Sequence, residues 1–289
     1  MTIELKSGLI SSWLVQTPSS KANGQILSLF DHSFNIAFEE ELLNVASSRL
    51  DCSSFGLTLP ETDFENLRIS VLIGDRAIRD GNRLMIYSSL GGVFEIFLSR
   101  LNVIDLTIST VQADANLITK IIQTLNEFPI MEKMGLFIDT HTQQFLDTLT
   151  VPFLPQSDFD TTANFLIGRG KGLTPSGDDI LLGYLMVFKL FDLPIHSELL
   201  QSKTLLTKTT IVSANYLRML ALNVVSESIK RFNKAILYRN IQHLRLSISR
   251  ITEIGATSGF DTLMGVKLAL KRILAEIEFN EKPIQLYTE

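Results

Sequence analysis

Two short segments of the chain combine serine, threonine, glycine and aspartate at matching positions. The first, residues 172–179, reads Gly-Leu-Thr-Pro-Ser-Gly-Asp-Asp and leads into an apolar run. The second begins at Thr257. Its Ser, Gly, Asp, Leu and Gly at positions 258, 259, 261, 263 and 265 repeat those at positions 176, 177, 179, 181 and 183 of the first signature and the apolar run after it. Hydroxyl groups and backbone amides can bind an oxyanion, and carboxylates can accept hydrogen bonds from N–H groups. These two signatures therefore predict a site for a small molecule that carries an anionic group and amide nitrogen.

The loop before the first signature alternates glycine with two cations, Arg169 and Lys171. A glycine-rich loop at a helix N-terminus can turn its amides inward and hold a phosphate or carboxylate. The loop matches neither nucleotide-binding template. Gly172 follows Lys171 where the P-loop has Ser or Thr, and Leu173 stands where the dinucleotide fingerprint has its third glycine. We expect a small oxyacid at this loop.

The candidate site residues divide by their chemistry. We predict Asp179 and Asp261 as catalytic carboxylates, which also supply acceptors for N–H groups of a substrate or hold a cation beside its anion. The predicted contacts of the substrate or anion are Arg169, Lys171, Gly172, Thr174, Ser176, Gly177, Asp178, Thr257, Ser258 and Gly259.

An alternative interpretation gives each signature only a structural role. Ser at the N-cap with Asp at N3 resembles a capping box, which stabilises a helix by roughly 1 kcal/mol. Gly183 and Gly265 favour a further role, because glycine inside a helix costs about 1 kcal/mol relative to alanine unless something approaches closely. Gly177 and Gly259 would let a ligand reach the first amides. We infer that the two helices cross at their glycines and direct both N-termini at one pocket.

The sequence as a whole excludes several classes of function. Its 289 residues carry 26 Lys and Arg against 31 Asp and Glu, a net charge of -5, with no basic cluster for nucleic acid. The strongest apolar run, residues 180–188, is far shorter than the roughly 20 residues that span a bilayer. Cys52 is the single cysteine, and the four histidines lack the spacing of metal ligands. We expect a cytoplasmic protein that binds no nucleic acid or membrane, uses no cofactor and holds no metal at its histidines, while a cation at the aspartates stays open.

The hydrophobic period changes along the chain. Residues 23 to about 108 predict short strands around one helix at residues 38–50, and from about residue 113 the spacing becomes helical. The predicted strands are residues 24–30, 55–59, 69–73, 84–87 and 93–98. The predicted helical stripes are residues 117–125, 145–149, 179–191, 199–229, 235–248 and 260–277. This order predicts an α+β fold, with a β-rich N-terminal domain over residues 1–110 and a mainly α-helical domain over residues 111–289.

The two signatures together resemble a bacterial family long catalogued as of unknown function. One branch of that family is the small, AllH-like subunit of the oxamate carbamoyltransferase of allantoin catabolism. The order of a β-rich part and a helical part is also similar, which extends the resemblance over most of the chain. Thr209, Thr210 and Ser213 resemble a further polar segment of the family, and on this ground Ser213 joins the predicted substrate contacts.

The resemblance implies a transferase of purine catabolism. Its reaction is the phosphorolysis of oxalurate to oxamate and carbamoyl phosphate, in a complex with two other subunits. The ligands would be phosphate, carbamoyl phosphate and a ureido-carboxylate. A non-catalytic subunit for assembly or metabolite sensing is the alternative, and another carboxylate as substrate also stays open.

Overall fold

The computed structural model describes residues 2–16, 21–39, 41–194 and 207–281. The chain divides into two compact units. The first contains Met1–Thr107 and Val224–Lys230, and the second contains Ile108–Asn223 and Arg231–Glu289. Strands dominate the first unit and helices the second, which confirms the predicted α+β class.

The first unit is built on one mixed β-sheet. Its described strands are β1 (Thr2–Leu5), β2 (Leu9–Ser11), β3 (Ala22–Leu29), β4 (Ser33–Phe38), β5 (Glu41–Ser47), β6 (Gly56–Leu59), β7 (Arg76–Asp80), β8 (Arg83–Tyr87), β9 (Val93–Phe97) and β10 (Asn102–Ile104). They are ordered β1-β9-β8-β7-β3-β4-β5-β6-β2-β10 across the sheet. The pairs β1–β9, β5–β6 and β2–β10 are parallel, and the other neighbours are antiparallel.

Two helices and a short 3₁₀ turn accompany the sheet: α1 (Ser12–Gln16), α2 (Glu61–Ser70) and Leu98–Arg100. Helix α2 follows Pro60, whose fixed φ suits the start of a helix. It buries Phe64 and Leu67, and the ring of Phe64 lies 6.1 Å from that of Phe34 on β4. These side chains join the apolar core formed by the strands.

The helix predicted over residues 38–50 is wrong, because residues Glu41–Ser47 form strand β5. This strand lies between β4 and β6 and buries Leu42 and Leu43, neighbours that point to opposite faces of the sheet. A strand buried on both faces carries a continuous apolar run, whose period resembles that of a buried helix. The strand predicted over residues 69–73 is also wrong: α2 continues to Ser70, and Ile69 and Ile73 are 72% and 66% exposed.

The second unit is helical, as predicted, and its helices set the frame of the site. The described helices are α3 (Ala115–Leu125), α4 (Ile130–Lys133), α5 (Thr140–Thr148), α6 (Gln156–Leu166), α7 (Ser176–Leu190), α8 (Ile211–Ala221), α9 (Glu227–Leu237), α10 (Ile241–Thr252) and α11 (Ser258–Glu281). Helix α9 begins in the segment that belongs to the first unit. Of the predicted stripe over residues 199–229, positions 199–206 lie outside the described residues. No described helix has the length and apolar character needed to cross a membrane.

Helices α7 and α11 cross at the glycines singled out in the sequence. An ideal Cβ on Gly183 would lie 2.0 Å from the carbonyl oxygen of Thr262, and one on Gly265 would lie 1.9 Å from that of Ile180. No side chain fits at such distances, so only glycine permits this approach. The predicted crossing is confirmed. The contacts are also reciprocal, since Ile180 and Gly183 hold the same places in α7 as Thr262 and Gly265 in α11, which gives the pair a pseudo-twofold arrangement.

Candidate functional site

The serines of the two signatures are not helix caps. Pro175 occupies the N-cap position of α7, without a side-chain cap hydrogen bond, so Ser176 is the first helical residue. In α11 the amide of Asp261 donates to the carbonyl of Thr257 at 2.9 Å, which places Thr257 at the N-cap and Ser258 in the helix. The capping-box alternative is therefore wrong, and the polar side chains of these first turns make other contacts.

Three carboxyl groups at these helix starts are buried. Asp178, Asp179 and Asp261 are 2%, 5% and 0% exposed. Oδ1 of Asp178 accepts from the amide of Gly168 at 2.6 Å, and its Oδ2 accepts from the hydroxyl of Thr209. Asp178 thus ties the start of α7 to the loop before it and to the segment that leads into α8.

Each signature serine lies beside the aspartate of the other helix. Ser258 of α11 hydrogen-bonds the carboxyl of Asp179 on α7, and Ser176 of α7 acts in the same way on Asp261 of α11. A hydrogen bond of 2.7 Å between Oγ1 of Thr174 and Oγ of Ser258 joins the two signatures directly. The two signatures therefore meet in space, as their paired glycines predict.

The carboxyls of Asp178, Asp179 and Asp261 and the signature hydroxyls around them form one polar cluster. Gly135 also belongs to it, although no sequence pattern predicted this. Its amide donates to Oδ1 of Asp261 at 2.8 Å. An ideal Cβ at this position would lie 2.4 Å from Oγ1 of Thr257 and 2.6 Å from Oγ of Ser176, so a larger residue would displace both hydroxyls. Gly135 and Asp261 are 126 residues apart, and no local pattern marks such a contact.

Burial raises the pKa of all three carboxyl groups. For Asp179 the loss of hydration is the largest cause, the charges of Asp261 and Asp178 add to it, and the hydroxyls of Ser258 and Thr174 oppose it. The pKa of Asp179 lies well above its ordinary value. The pKa values of Asp178 and Asp261 are raised for the same first reason, against the lowering effect of the backbone amides they accept from. The cluster therefore keeps protons at a higher pH than exposed aspartates do.

Three oxygen atoms of the cluster are buried without a hydrogen-bond partner among the described residues. They are Oδ2 of Asp179, Oδ2 of Asp261 and Oγ of Ser213. Leaving a buried polar atom unpaired costs about 1–3 kcal/mol, so each one needs an explanation. Ser213 lies in the first turn of α8, close enough to Asp178 to lower its pKa. Ser213, which the family resemblance predicts as a substrate contact, thus lies beside the three carboxyls.

The backbone amides that follow the two serines already have partners. The amide of Gly177 donates to the carbonyl of Arg169 at 2.8 Å, and that of Gly259 donates to Ile254 at 3.1 Å. These amides are therefore not free for an anion, which corrects the role expected of them.

The structure also explains the need for glycine at Gly177 and Gly259 differently from the predicted approach of a ligand. An ideal Cβ on Gly177 would lie 2.0 Å from the carbonyl oxygen of Leu166, and one on Gly259 would lie 1.8 Å from that of Ile251. These carbonyls belong to the helices that precede each signature, α6 and α10. Close packing within each helix–loop–helix, and not the approach of a ligand, therefore explains both glycines.

The cations of the glycine-rich loop lie at the surface. Arg169, Lys171 and Gly172 are exposed, and φ of Gly172 is +89°, a value that favours glycine. The guanidinium of Arg169 lies over the ring of Phe165, 3.8 Å from its centroid, and its Nε donates to the Phe165 carbonyl at 3.0 Å. Within the described ranges, no cation is one of the main causes that shift the pKa values of the three carboxyls. The same ranges contain no group of three or more His, Cys, Asp or Glu arranged for a metal ion.

Comparison with known proteins assigns a family to the segment that contains the cluster. Residues 166–270 match the family described as oxamate carbamoyltransferase subunit AllH. The matched segment includes both signatures and Ser213, so the resemblance inferred from the signatures is confirmed there. No curated protein and no solved structure matches the chain.

Proposed function

We propose, from the premise that residues 166–270 are AllH-like, that this chain is a subunit of an oxamate carbamoyltransferase. Its complex would split oxalurate with phosphate into oxamate and carbamoyl phosphate, in the breakdown of allantoin and other purine products in the cytoplasm. The observation that carries the proposal is the meeting of Asp179 and Asp261, buried and each with an unpartnered oxygen, inside the matched segment.

The proposed reaction needs proton transfer and charge stabilisation but no protein nucleophile. An oxygen of hydrogen phosphate bonds to the carbamoyl carbon of oxalurate, and the bond from that carbon to the oxamate nitrogen breaks. The proton of hydrogen phosphate ends on that nitrogen. Between these events the carbamoyl oxygen carries negative charge, which a hydrogen-bond donor in a buried site stabilises.

Asp179 and Asp261 are suited to both tasks in this proposal. Two buried carboxyls with raised pKa values keep a proton to a higher pH than hydrated aspartates do, so one can donate while the other accepts. Ser258 and Ser176 orient the two carboxyls across the helix crossing. Asp178 holds the loop before α7 through the Gly168 amide.

The other predicted substrate contacts have supporting roles around Asp179 and Asp261 in the proposal. Thr174 and Thr257 line the cluster through their hydroxyls, and Ser213 adds one from α8. Arg169 and Lys171 are exposed and would meet phosphate at the surface, where other subunits of the complex complete the site. The proposed ligands are phosphate, carbamoyl phosphate and a ureido-carboxylate.

Reconstitution tests this function. The chain is co-expressed with candidate partner subunits, and the purified complex is assayed for carbamoyl phosphate formed from oxalurate and phosphate. We expect turnover that Asp179→Asn and Asp261→Asn each lower by about 100-fold or more, with assembly unchanged. The matched control is Asp158→Asn, which removes an exposed carboxyl from α6 and should keep full activity.

A subunit for assembly or metabolite sensing is the second candidate. The bonded amides of Gly177 and Gly259 favour it, as does the exposure of Arg169 and Lys171, because these described groups give a phosphate no direct partner inside the buried cluster. Full turnover in complexes that contain Asp179→Asn and Asp261→Asn would support this candidate and refute the catalytic proposal.

A further inference from the structure

The crossing of α7 and α11 presents two equivalent carboxyl groups. Asp179 and Asp261 hold the same place in the two signatures, and each lies beside the serine of the opposite helix. The equivalence ends one residue earlier, where Asp178 corresponds to Phe260. Asp178 uses both oxygens on Gly168 and Thr209, so the equivalent pair, and not the third carboxyl, carries the unpartnered oxygens.

The polar groups around this pair suit a neutral ligand better than an oxyanion. The amides of Gly177 and Gly259 are bonded to backbone carbonyls, and no described cation is among the main causes that shift the pKa values of the pair. An oxyanion placed there would face ionisable carboxyls in a poorly hydrated environment, where repulsion between like charges is strong. Two unpartnered carboxyl oxygens instead call for N–H donors.

We propose that Asp179 and Asp261 together bind a neutral planar carboxamide or urea group, and that the oxyanion of the substrate binds outside this pair. This inference rests on the proposed function for the identity of the group, which would be the carbamoyl end of the substrate. A carboxamide offers one carbonyl acceptor and two N–H donors. A pair that shares one proton matches it, because the protonated carboxyl donates to the carbonyl and the ionised one accepts from the N–H.

The neighbouring groups keep this arrangement in place. Burial favours the protonated form of both carboxyls, and the charge of Asp261 adds to this at Asp179, while Ser258 and Thr174 hydrogen-bond Asp179 and the Gly135 amide donates to Asp261. The donated hydrogen bond would point at the oxygen on which charge develops during carbamoyl transfer. The same contact thus serves recognition and catalysis.

Calorimetric titration of the full chain with oxamate and oxalate tests the proposal. The two probes have the same size and share one carboxylate, but oxamate carries an NH₂ group where oxalate carries a charged oxygen. We expect oxamate to bind at least about tenfold more tightly than oxalate, with urea competing against it and phosphate not competing. Equal or tighter binding of oxalate, displacement of oxamate by phosphate, or no oxamate binding would each overturn the proposal.

Variants connect the selectivity to the pair. Asp179→Asn and Asp261→Asn should each lower the preference for oxamate over oxalate by about tenfold, while Asp158→Asn keeps it. Infrared spectra offer a readout without ligand: at a pH where hydrated aspartates are ionised, the wild type should show a protonated carboxyl band that is weaker in the double variant. A wild-type spectrum without that band would refute the shared proton.

The outcomes separate this inference from the proposed function. Selective oxamate binding without phosphorolysis in the reconstituted complex would refute the carbamoyltransferase proposal and keep the amide site. Phosphorolysis by a complex whose subunit binds oxalate as tightly as oxamate would refute the amide site and keep the carbamoyltransferase proposal.

Discussion

At the scale of single residues, the cluster holds carboxyl groups that oppose folding at neutral pH. An aspartate whose pKa is raised in the folded state binds its proton more tightly there than in the unfolded chain. Its contribution to stability is complete below the unfolded pKa of about 3.9 and is lost as the pH rises through the folded pKa. Asp178, Asp179 and Asp261 all have this sign. Groups that cost stability and persist in a buried cluster fit a functional role.

The first prediction follows for Asp179→Asn. The amide is neutral at every pH, so the variant lacks the free-energy cost that the raised pKa of Asp179 imposes on folding above the unfolded pKa of an aspartate. We expect the free energy of unfolding at neutral pH to rise by about 1–3 kcal/mol, and the melting temperature by several degrees. Thermal denaturation followed by circular dichroism measures it, with Asp158→Asn expected to melt with the wild type. A lower melting temperature for Asp179→Asn would contradict this account.

The second prediction concerns pH. The raised pKa of Asp179 means that its carboxyl takes up a proton at a higher pH than a hydrated aspartate does, and the wild type and Asp179→Asn then carry the same charge at this position. The gap between their melting temperatures should therefore be largest at neutral pH and close as the pH falls toward about 4. Melting curves across this range provide the measurement. A gap that widens in acid would show that the pKa of Asp179 is lowered instead.

At the scale of elements, the crossing of α7 and α11 builds the site. The reciprocal glycine contacts bring the first turns of both helices together, and the signature hydroxyls then reach across. Replacing Gly183 or Gly265 with alanine changes the free energy of unfolding in two opposite ways. Alanine favours a helix by about 1 kcal/mol over glycine, whereas an overpacked contact costs about 1–3 kcal/mol.

The third prediction concerns the stability and ligand binding of alanine variants at these two glycines. Gly183→Ala and Gly265→Ala should each lower the free energy of unfolding, because the new methyl group would meet a backbone carbonyl that cannot move aside cheaply. Both variants should also lose oxamate binding, since the two signatures separate when the helices do. Urea denaturation checks the first effect and calorimetry the second. A stabilised variant would mean that the helices do not pack as closely as the glycines indicate.

The sequence was most informative where a local pattern carried the signal. Paired glycines inside two apolar helices predicted the crossing, and the signatures predicted which residues meet there. Periodicity failed for β5, because burial on both faces removes the alternation that identifies a strand. The contact of Gly135 with Asp261, and the use of the signature amides by Arg169 and Ile254, depend on tertiary packing that leaves no local trace.

At the scale of the whole molecule, the β-rich unit is completed by a segment from far along the chain. Val224–Lys230 belongs to this unit. The amide of Val225 donates to the Leu106 carbonyl at 3.0 Å, and the carboxylate of Glu227 accepts from the Cys52 amide at 3.0 Å. Burial, with the nearby charge of Glu227, raises the pKa of the Cys52 thiol to about 12, so this thiol is unreactive at neutral pH.

The fourth prediction tests this segment. Glu227→Ala leaves the buried Cys52 amide without its acceptor, and we expect it to lower the free energy of unfolding by about 1–3 kcal/mol. The effect should reach the sheet, so hydrogen exchange at β5 and β6 should speed up although the substitution lies in α9. Glu253→Ala, at an exposed position after α10, is the matched control and should leave exchange unchanged. Unaltered exchange in Glu227→Ala would show that the segment adds little to the sheet.

The long separations inside the site have a consequence for its assembly during synthesis. Thr174 and Ser258 are 84 residues apart, and the second signature is synthesised after all the described strands and after Val224–Lys230. Closing long loops costs entropy before any contact forms, so the two signatures pair late. Until then Asp179 is an ordinary hydrated aspartate on a nascent chain. Its raised affinity for a proton begins only when α11 docks against α7, so the chemistry of the site depends on a contact that neither helix can make alone.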